Sequence, residues 1–239
     1  MIMRLLAFDG TAKLASVAVR EDGRTLASYT IDNGLTQSEL LLPMAEDVLR
    51  SLKLDFSDID CYATSVGPGS FTGVRIGVSL IKGLAFGRNI PCVSVSTLEA
   101  LAENIRPLDG IIVPCMDARR SQVYNAIFEC TDGELKRLCV DRAISLSELC
   151  RELSEYKDKK IYVTGDGYEV AKKYFDEYGL VTESTPPQLI GQSAASVAAV
   201  AERLFARGEY VSDSKLSPVY LRLPQAERER LERLKNERK

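Results

Sequence analysis

The residues best suited by type to do chemistry are glycines and aspartates gathered at a few turns. The densest group is Gly67-Pro68-Gly69-Ser70-Phe71-Thr72-Gly73-Val74-Arg75-Ile76-Gly77. Glycines let backbone N–H groups approach an anion, and a helix starting behind them adds a positive end, so Gly67, Gly69 and Ser70 are candidates for holding a phosphate. Asp9-Gly10-Thr11 and Asp117-Ala118-Arg119-Arg120 offer carboxylate and hydroxyl groups of the kind that hold a magnesium-bound water. Asp9, Thr11 and Asp117 therefore join a candidate vestigial nucleotide site. The plainer reading is turn chemistry, because aspartate and glycine favour turns anyway. The run also lacks the Gly-Lys-Ser/Thr ending of a Walker loop and the Gly-x-Gly-x-x-Gly dinucleotide fingerprint.

The chain has no histidine. That removes Ser-His triads, Cys-His pairs and most transition-metal sites at once. No catalytic residue, metal site or cofactor is assigned. Cys61, Cys92, Cys115, Cys130, Cys139 and Cys150 form no Cys-x-x-Cys pair and read as small buried hydrophobes in a reducing compartment. A net charge of -3 provides no positive field for a phosphate backbone, so strong binding of nucleic acid by this chain alone is not expected. The first residues turn polar too soon for a signal peptide, and no run approaches the length of a membrane span; a soluble, cytoplasmic protein is expected.

The elements that must position these turns occur twice. Hydrophobic patterning predicts strands at 4–8, 14–20 and 24–31, then a helix from a Thr36–Glu39 capping box to Leu52 with Pro43 bending it. A strand at 61–66, the glycine run, a helix at 71–87, a strand at 91–95 and a helix at 97–105 follow. The second half predicts strands at 111–116, 121–129 and 134–142, a helix from Ser145 to Leu153 and a strand at 160–164. Gly165-Asp166-Gly167, a helix to Tyr178, a short strand at 180–183 and a helix at 192–207 complete it. This duplicated βββαβαβα order predicts an α/β, ribonuclease-H-like, two-lobe fold of the actin, Hsp70 and sugar-kinase kind, with lobes at 1–106 and 107–211. Residues 212–239 form a C-terminal segment ending in a charged helix, either a solvated end or a partner contact. Fold alone assigns no activity.

Two helices carry more apolar surface than one face needs. After the glycine run, Val74, Val78, Ile81 and Ala85 form one stripe, while Gly73, Ile76, Gly77, Leu80 and Leu84 form a second. Gly73 and Gly77, four apart, would let another helix approach closely. The helix from Thr36 likewise exceeds a single stripe, with Leu40 and Leu42 among its apolar residues and Glu39 beside them. Leaving several leucines in water is costly at about 1.5–3 kcal/mol each, so a subunit interface made from these two helices is expected.

The glycine run, Ser38-Glu39-Leu40-Leu41-Leu42-Pro43, Met116-Asp117-Ala118-Arg119-Arg120 with Val123-Tyr124, and Pro218-Val219-Tyr220-Leu221-Arg222 together resemble the TsaB (YeaZ-type) family of tRNA threonylcarbamoyladenosine synthesis. The catalytic sister family, TsaD, shares the first motif and binds a metal through a His-x-x-x-His pair. Thr97 and Leu101 stand at those positions here, and Gln37 stands where TsaB members often carry histidine. The resemblance implies a non-catalytic subunit that pairs with TsaD through first-lobe helices. It implies homodimers when TsaD is absent, work with a small P-loop ATPase, TsaE, and contact with tRNA only through the complex. The modified atom would be N6 of the adenosine beside the anticodon in tRNAs reading codons that begin with A. The alternatives on residues alone are an active actin-fold ATPase or small-molecule kinase using Asp9 and Asp117, and a purely structural homodimer.

Overall fold

The computed structural model describes residues 3–222. In the first lobe, β1 (Arg4–Asp9), β2 (Ala15–Glu21) and β3 (Arg24–Ile31) form an antiparallel meander. The helix α1 (Gln37–Leu52) leads to β4 (Cys61–Gly67), then α2 (Phe71–Ala85), β5 (Cys92–Ser96) and α3 (Thr97–Ile105). β4 lies parallel to β1 and β5 parallel to β4, giving the spatial order β3-β2-β1-β4-β5. Pro43 lies within α1 without ending it.

The second lobe repeats the plan with interruptions. Its central strand β6 (Gly110–Asp117) is followed by β7 (Gln122–Asn125), β8 (Phe128–Thr131), β9 (Glu134–Arg137) and β10 (Arg142–Ser145). β7 and β8 pair with β6 in one continuous register, Cys115 opposite Asn125 and Ile112 opposite Phe128. They are therefore one predicted strand, 121–129, broken at Ala126 and Ile127 where Pro114 has no N–H to give. The buried Asn125 amide donates to the Pro114 carbonyl at 3.0 Å and so satisfies it. The predicted strand 134–142 is corrected: its first part forms β9, paired with β8, residues 138–141 lie outside any strand, and β10, paired with β7, begins only at Arg142.

After α4 (Leu146–Leu153), β11 (Ile161–Thr164) lies parallel on the other side of β6, and α5 (Tyr168–Glu177) and α6 (Ala194–Ala206) follow. The strand predicted at 180–183 is corrected: it forms a single parallel bridge, Tyr162 to Glu183. The chain then runs into Pro186 and Pro187, neither of which can extend a ladder through an N–H.

The last helix of each half covers the sheet of the other. Ala194, Val197, Ala198, Val200 and Ala201 of α6 are buried against Leu5, Ala7, Ala18, Ala63 and Val95 of the first sheet. α3 packs Leu98, Leu101, Ala102 and Ile105 against Ile112, Met116, Phe128 and Tyr162 of the second. Arg20 with Glu202 (2.7 Å) and Arg203 with Glu103 (2.6 Å) pin α6 at the edges of this exchange. Small side chains on α6 let it lie close to the strands, and the resulting cross-over fixes where the turns of the two lobes meet.

Candidate functional site

The turns after β1, β4, β6 and β11 converge on a cleft between the lobes of about 430 Å³. Its walls include Thr11, Lys13, Gly69, Ser70 and Phe71 from the first lobe and Met116, Asp117, Arg119 and Asp166 from the second. Tyr220, Leu221 and Arg222 close one side.

Asp9 does not face this space. It is fully buried, its Oδ1 accepting from the Thr11 N–H at 2.9 Å and the Thr11 hydroxyl at 2.7 Å, its Oδ2 from the Ser65 hydroxyl at 2.6 Å. Burial pushes its pKa up, against the opposing pull of those three hydrogen bonds.

The glycine loop is likewise turned inward. The Ser70 N–H donates to the Thr11 carbonyl at 2.7 Å, and the Ser70 hydroxyl accepts from the Gly73 N–H at 3.3 Å as the cap of α2. A side chain on Gly69 would meet the Thr11 carbonyl at 2.6 Å, and one on Gly67 would meet the Val219 carbonyl at 2.4 Å. The close approach that glycine permits at both places is taken by this chain's own backbone.

Asp166 is the group the sequence reading passed over. It is exposed, yet the backbone crowded around its carboxyl disfavours the charge and, with Asp117 nearby, pushes its pKa up to about 6. Its Oδ1 accepts from the Asp117 N–H at 3.3 Å. The correspondence of Gly165-Asp166-Gly167 with the first glycine run was the available signal. Ser65, in the middle of a strand, carried none. Among the described residues no group of three or more His, Cys, Asp and Glu side chains gathers as metal ligands. Thr97 and Leu101 are buried. All six cysteines are free, and burial pushes the Cys115 thiol up to about 12.

The two helices singled out by their excess apolar surface form a second site. An open groove of about 540 Å³ runs between α1 and α2, lined on its apolar side by Leu41, Leu42, Phe71, Ile76 and Leu80 and on its polar side by Ser38, Thr72, Arg75 and Ser79. Leu42 is exposed, while Ile76, Leu80 and Leu84 are half-buried. Gln37 lies beneath the groove, its amide donating to the Ala12 carbonyl at 2.9 Å, and so ties α1 to the turn after β1.

Three of the residues expected in the interface belong elsewhere. Gly73 and Gly77 face the first-lobe core: added side chains would meet the Gly10 carbonyl at 1.9 Å and the Thr64 hydroxyl at 2.8 Å. The helix admitted at close range is therefore α2 itself, onto its own sheet. Leu40 is also a core residue, 8% exposed. Glu39 is exposed but turned back on its helix, accepting from the Thr36 N–H at 2.8 Å and the Thr36 hydroxyl at 2.6 Å. Those bonds hold its carboxyl below the usual range.

The duplicated sheets, the crossed helices and a cleft framed by paired first-strand turns define a two-lobed protein of the ribonuclease-H-like, actin-like class. The family model described as TsaD, tRNA N6-adenosine threonylcarbamoyltransferase, matches residues 36–229. The chain is 32% identical over 227 residues to the tRNA threonylcarbamoyladenosine biosynthesis protein TsaB of Bacillus subtilis (strain 168), spanning 94% of this chain and 96% of that protein. It is 30% identical over 222 residues to TsaB of Escherichia coli (strain K12), spanning 92% and 95%. YeaZ from Pseudomonas aeruginosa superposes with a TM-score of 0.76 at 27% identity, over 92% of this chain and all of that structure. The chain belongs to the TsaB family. The stretch matched by the TsaD model includes the glycine run at 67–77.

Proposed function

We propose that this chain is the non-catalytic subunit of tRNA threonylcarbamoyladenosine synthesis, docking a TsaD-type threonylcarbamoyltransferase on the α1–α2 groove. The observation that carries the reading is the groove: Leu42, Ile76 and Leu80 leave apolar surface on two neighbouring helices whose opposite faces already fill the core. Such a surface gains by burial at about 25 cal/mol per Å² against a matching helix pair. The transferred group goes to N6 of the adenosine beside the anticodon in tRNAs reading codons that begin with A. A TsaE-type ATPase joins through the complex, tRNA is held only by the complex, and two copies of the chain pair on the same groove when TsaD is absent. The setting is the cytoplasm.

A subunit without chemistry of its own accords with the cleft. Asp9 is sealed and the loop N–H of Ser70 is engaged, so two of the groups that would position a magnesium-bound phosphate are already occupied. The competing reading, an actin-fold ATPase or kinase, rests on Asp166, whose raised pKa near Asp117 suits a general base.

Reconstitution separates the two. Threonylcarbamoyl transfer to tRNA by TsaD and TsaE is expected only when this chain is added, and the chain alone is expected neither to hydrolyse ATP nor to modify tRNA. ATP turnover by the isolated chain, lost in Asp166→Asn, would establish the enzyme reading instead.

A further inference from the structure

One wall of the cleft is supplied by Val219, Tyr220, Leu221 and Arg222. Beyond α6 the chain returns along the first lobe: Val211 pairs with Cys92 in an isolated antiparallel bridge, and Leu216 is fully buried in the first-lobe core. From that anchor the backbone crosses the mouth of the glycine loop. The Val219 N–H donates to the Val66 carbonyl at 2.7 Å, and the Val219 carbonyl occupies the space that Gly67 leaves by having no side chain. Tyr220 stacks on Phe71 with ring centroids 4.6 Å apart, and its hydroxyl accepts from Arg75 Nε at 2.8 Å.

The next contacts lie in the other lobe. Arg222 donates to the Ala118 carbonyl at 2.9 Å and to the Gln122 side chain, and its guanidinium stands 5.5 Å from the centre of the Tyr124 ring. The turn it grips needs a grip, because Arg119, Arg120 and Ser121 are three successive non-glycine residues with φ of 63°, 55° and 56°. Left-handed backbone costs an ordinary residue about 1–2 kcal/mol, so such a run persists only where its surroundings hold it.

We infer that residues 216–222 are an intramolecular clasp along one wall of the cleft, joining the glycine loop of the first lobe to the first-strand turn of the second. Gly67 serves Val219 and not a phosphate. The clasp adds a link through the chain's own backbone and Arg222 to the one that the crossed helices α3 and α6 already make between the lobes.

Amide hydrogen exchange on the full chain tests this. In Tyr220→Ala/Arg222→Gln, exchange at residues 67–74 and 117–123 is expected to quicken about tenfold or more while β1 and β4 stay protected. Arg222→Gln alone is expected to quicken 117–123 and leave 67–74 unchanged, which keeps the test informative if the double variant folds poorly. ADP with magnesium at about 1 mM, enough to fill a site of micromolar affinity, is expected to leave the wild-type pattern unchanged. Unchanged exchange at 117–123 in either variant, or protection of 67–74 by ADP in the wild-type chain, would overturn the clasp.

Discussion

The two lobes share an order of elements and differ in what their glycine loops and outer helices do. In the second lobe, the loop after β11 folds onto its own central strand: the Gly167 N–H donates to the Cys115 carbonyl at 2.9 Å, and a side chain on Gly165 would meet that carbonyl at 2.3 Å. In the first lobe, the equivalent loop lies against Thr11 and the returning chain. The first lobe's outer helices, 16 and 15 residues long, leave an apolar groove between them, whereas α4 and α5 have 8 and 10 residues. The difference is one of arrangement: the first lobe gathers its spare apolar surface into one groove between two long helices, while the exposed Val140, Val170, Tyr178 and Val181 of the second lie apart in the sequence. An interface belongs where the helices have more apolar surface than their own sheet can cover.

Substitutions at the loops and helices can break this comparison, and the largest effect is expected at Gly165. Gly165→Ala would strain a φ of 98° and press on a strand carbonyl that cannot retreat. A loss of about 3 kcal/mol or more in urea unfolding is expected. Gly67→Ala, at a φ of 122°, presses instead on the returning chain, which can lift away. About 1–2 kcal/mol is expected there, with faster exchange across residues 67–74. Equal losses at the two glycines would mean that the loops are equivalent after all.

Within α2 the contrast is between faces. Val78→Ala empties a core position, 4% exposed, and is expected to cost about 2 kcal/mol. Leu80→Ala, on the half-buried groove side, is expected to cost about 1 kcal/mol or less in the isolated chain. The smallest effect follows from Asp166. Its pKa is raised in the folded chain, from 3.8 to about 6, so between those values the folded state binds more protons than the unfolded state. Stability from this group is therefore greatest at low pH and falls as pH rises through that window. Asp166→Asn is expected to flatten that slope and to leave the protein slightly more stable at neutral pH, as thermal melts across the window would show.

Much of this was legible in the chain because the signals were local. The Thr36–Glu39 box, the alternation in β1 to β3 and the apolar spacing of α2 each announce their own element. What escaped was set by distant partners. The break between β7 and β8 comes from Pro114 on the neighbouring strand, 12 residues before Ala126. The small residues of α6 mark a helix buried on several sides, but nothing in them says that the sheet they cover is the first. Two apolar stripes on α2 could be recognised without knowing which turned inward, so Gly73 and Gly77 were expected at an interface when they serve α2's seat on β4 and the turn after β1. In the same way, Gly67 announces a close approach without naming what approaches. The charged helix expected near the C-terminal end lies outside the described residues.

The most direct test of the partner reading measures binding of a TsaD-type subunit to this chain, to Leu80→Arg and to a second-lobe control, Tyr178→Arg, whose side chain is exposed on the other lobe. Leu80→Arg is expected to weaken association by about a hundredfold or more, as burying an unpaired charge at an apolar contact does, with little change in melting temperature. Tyr178→Arg is expected to bind as the wild type does. Undiminished binding by Leu80→Arg, or loss through Tyr178→Arg alone, would contradict the first-lobe interface.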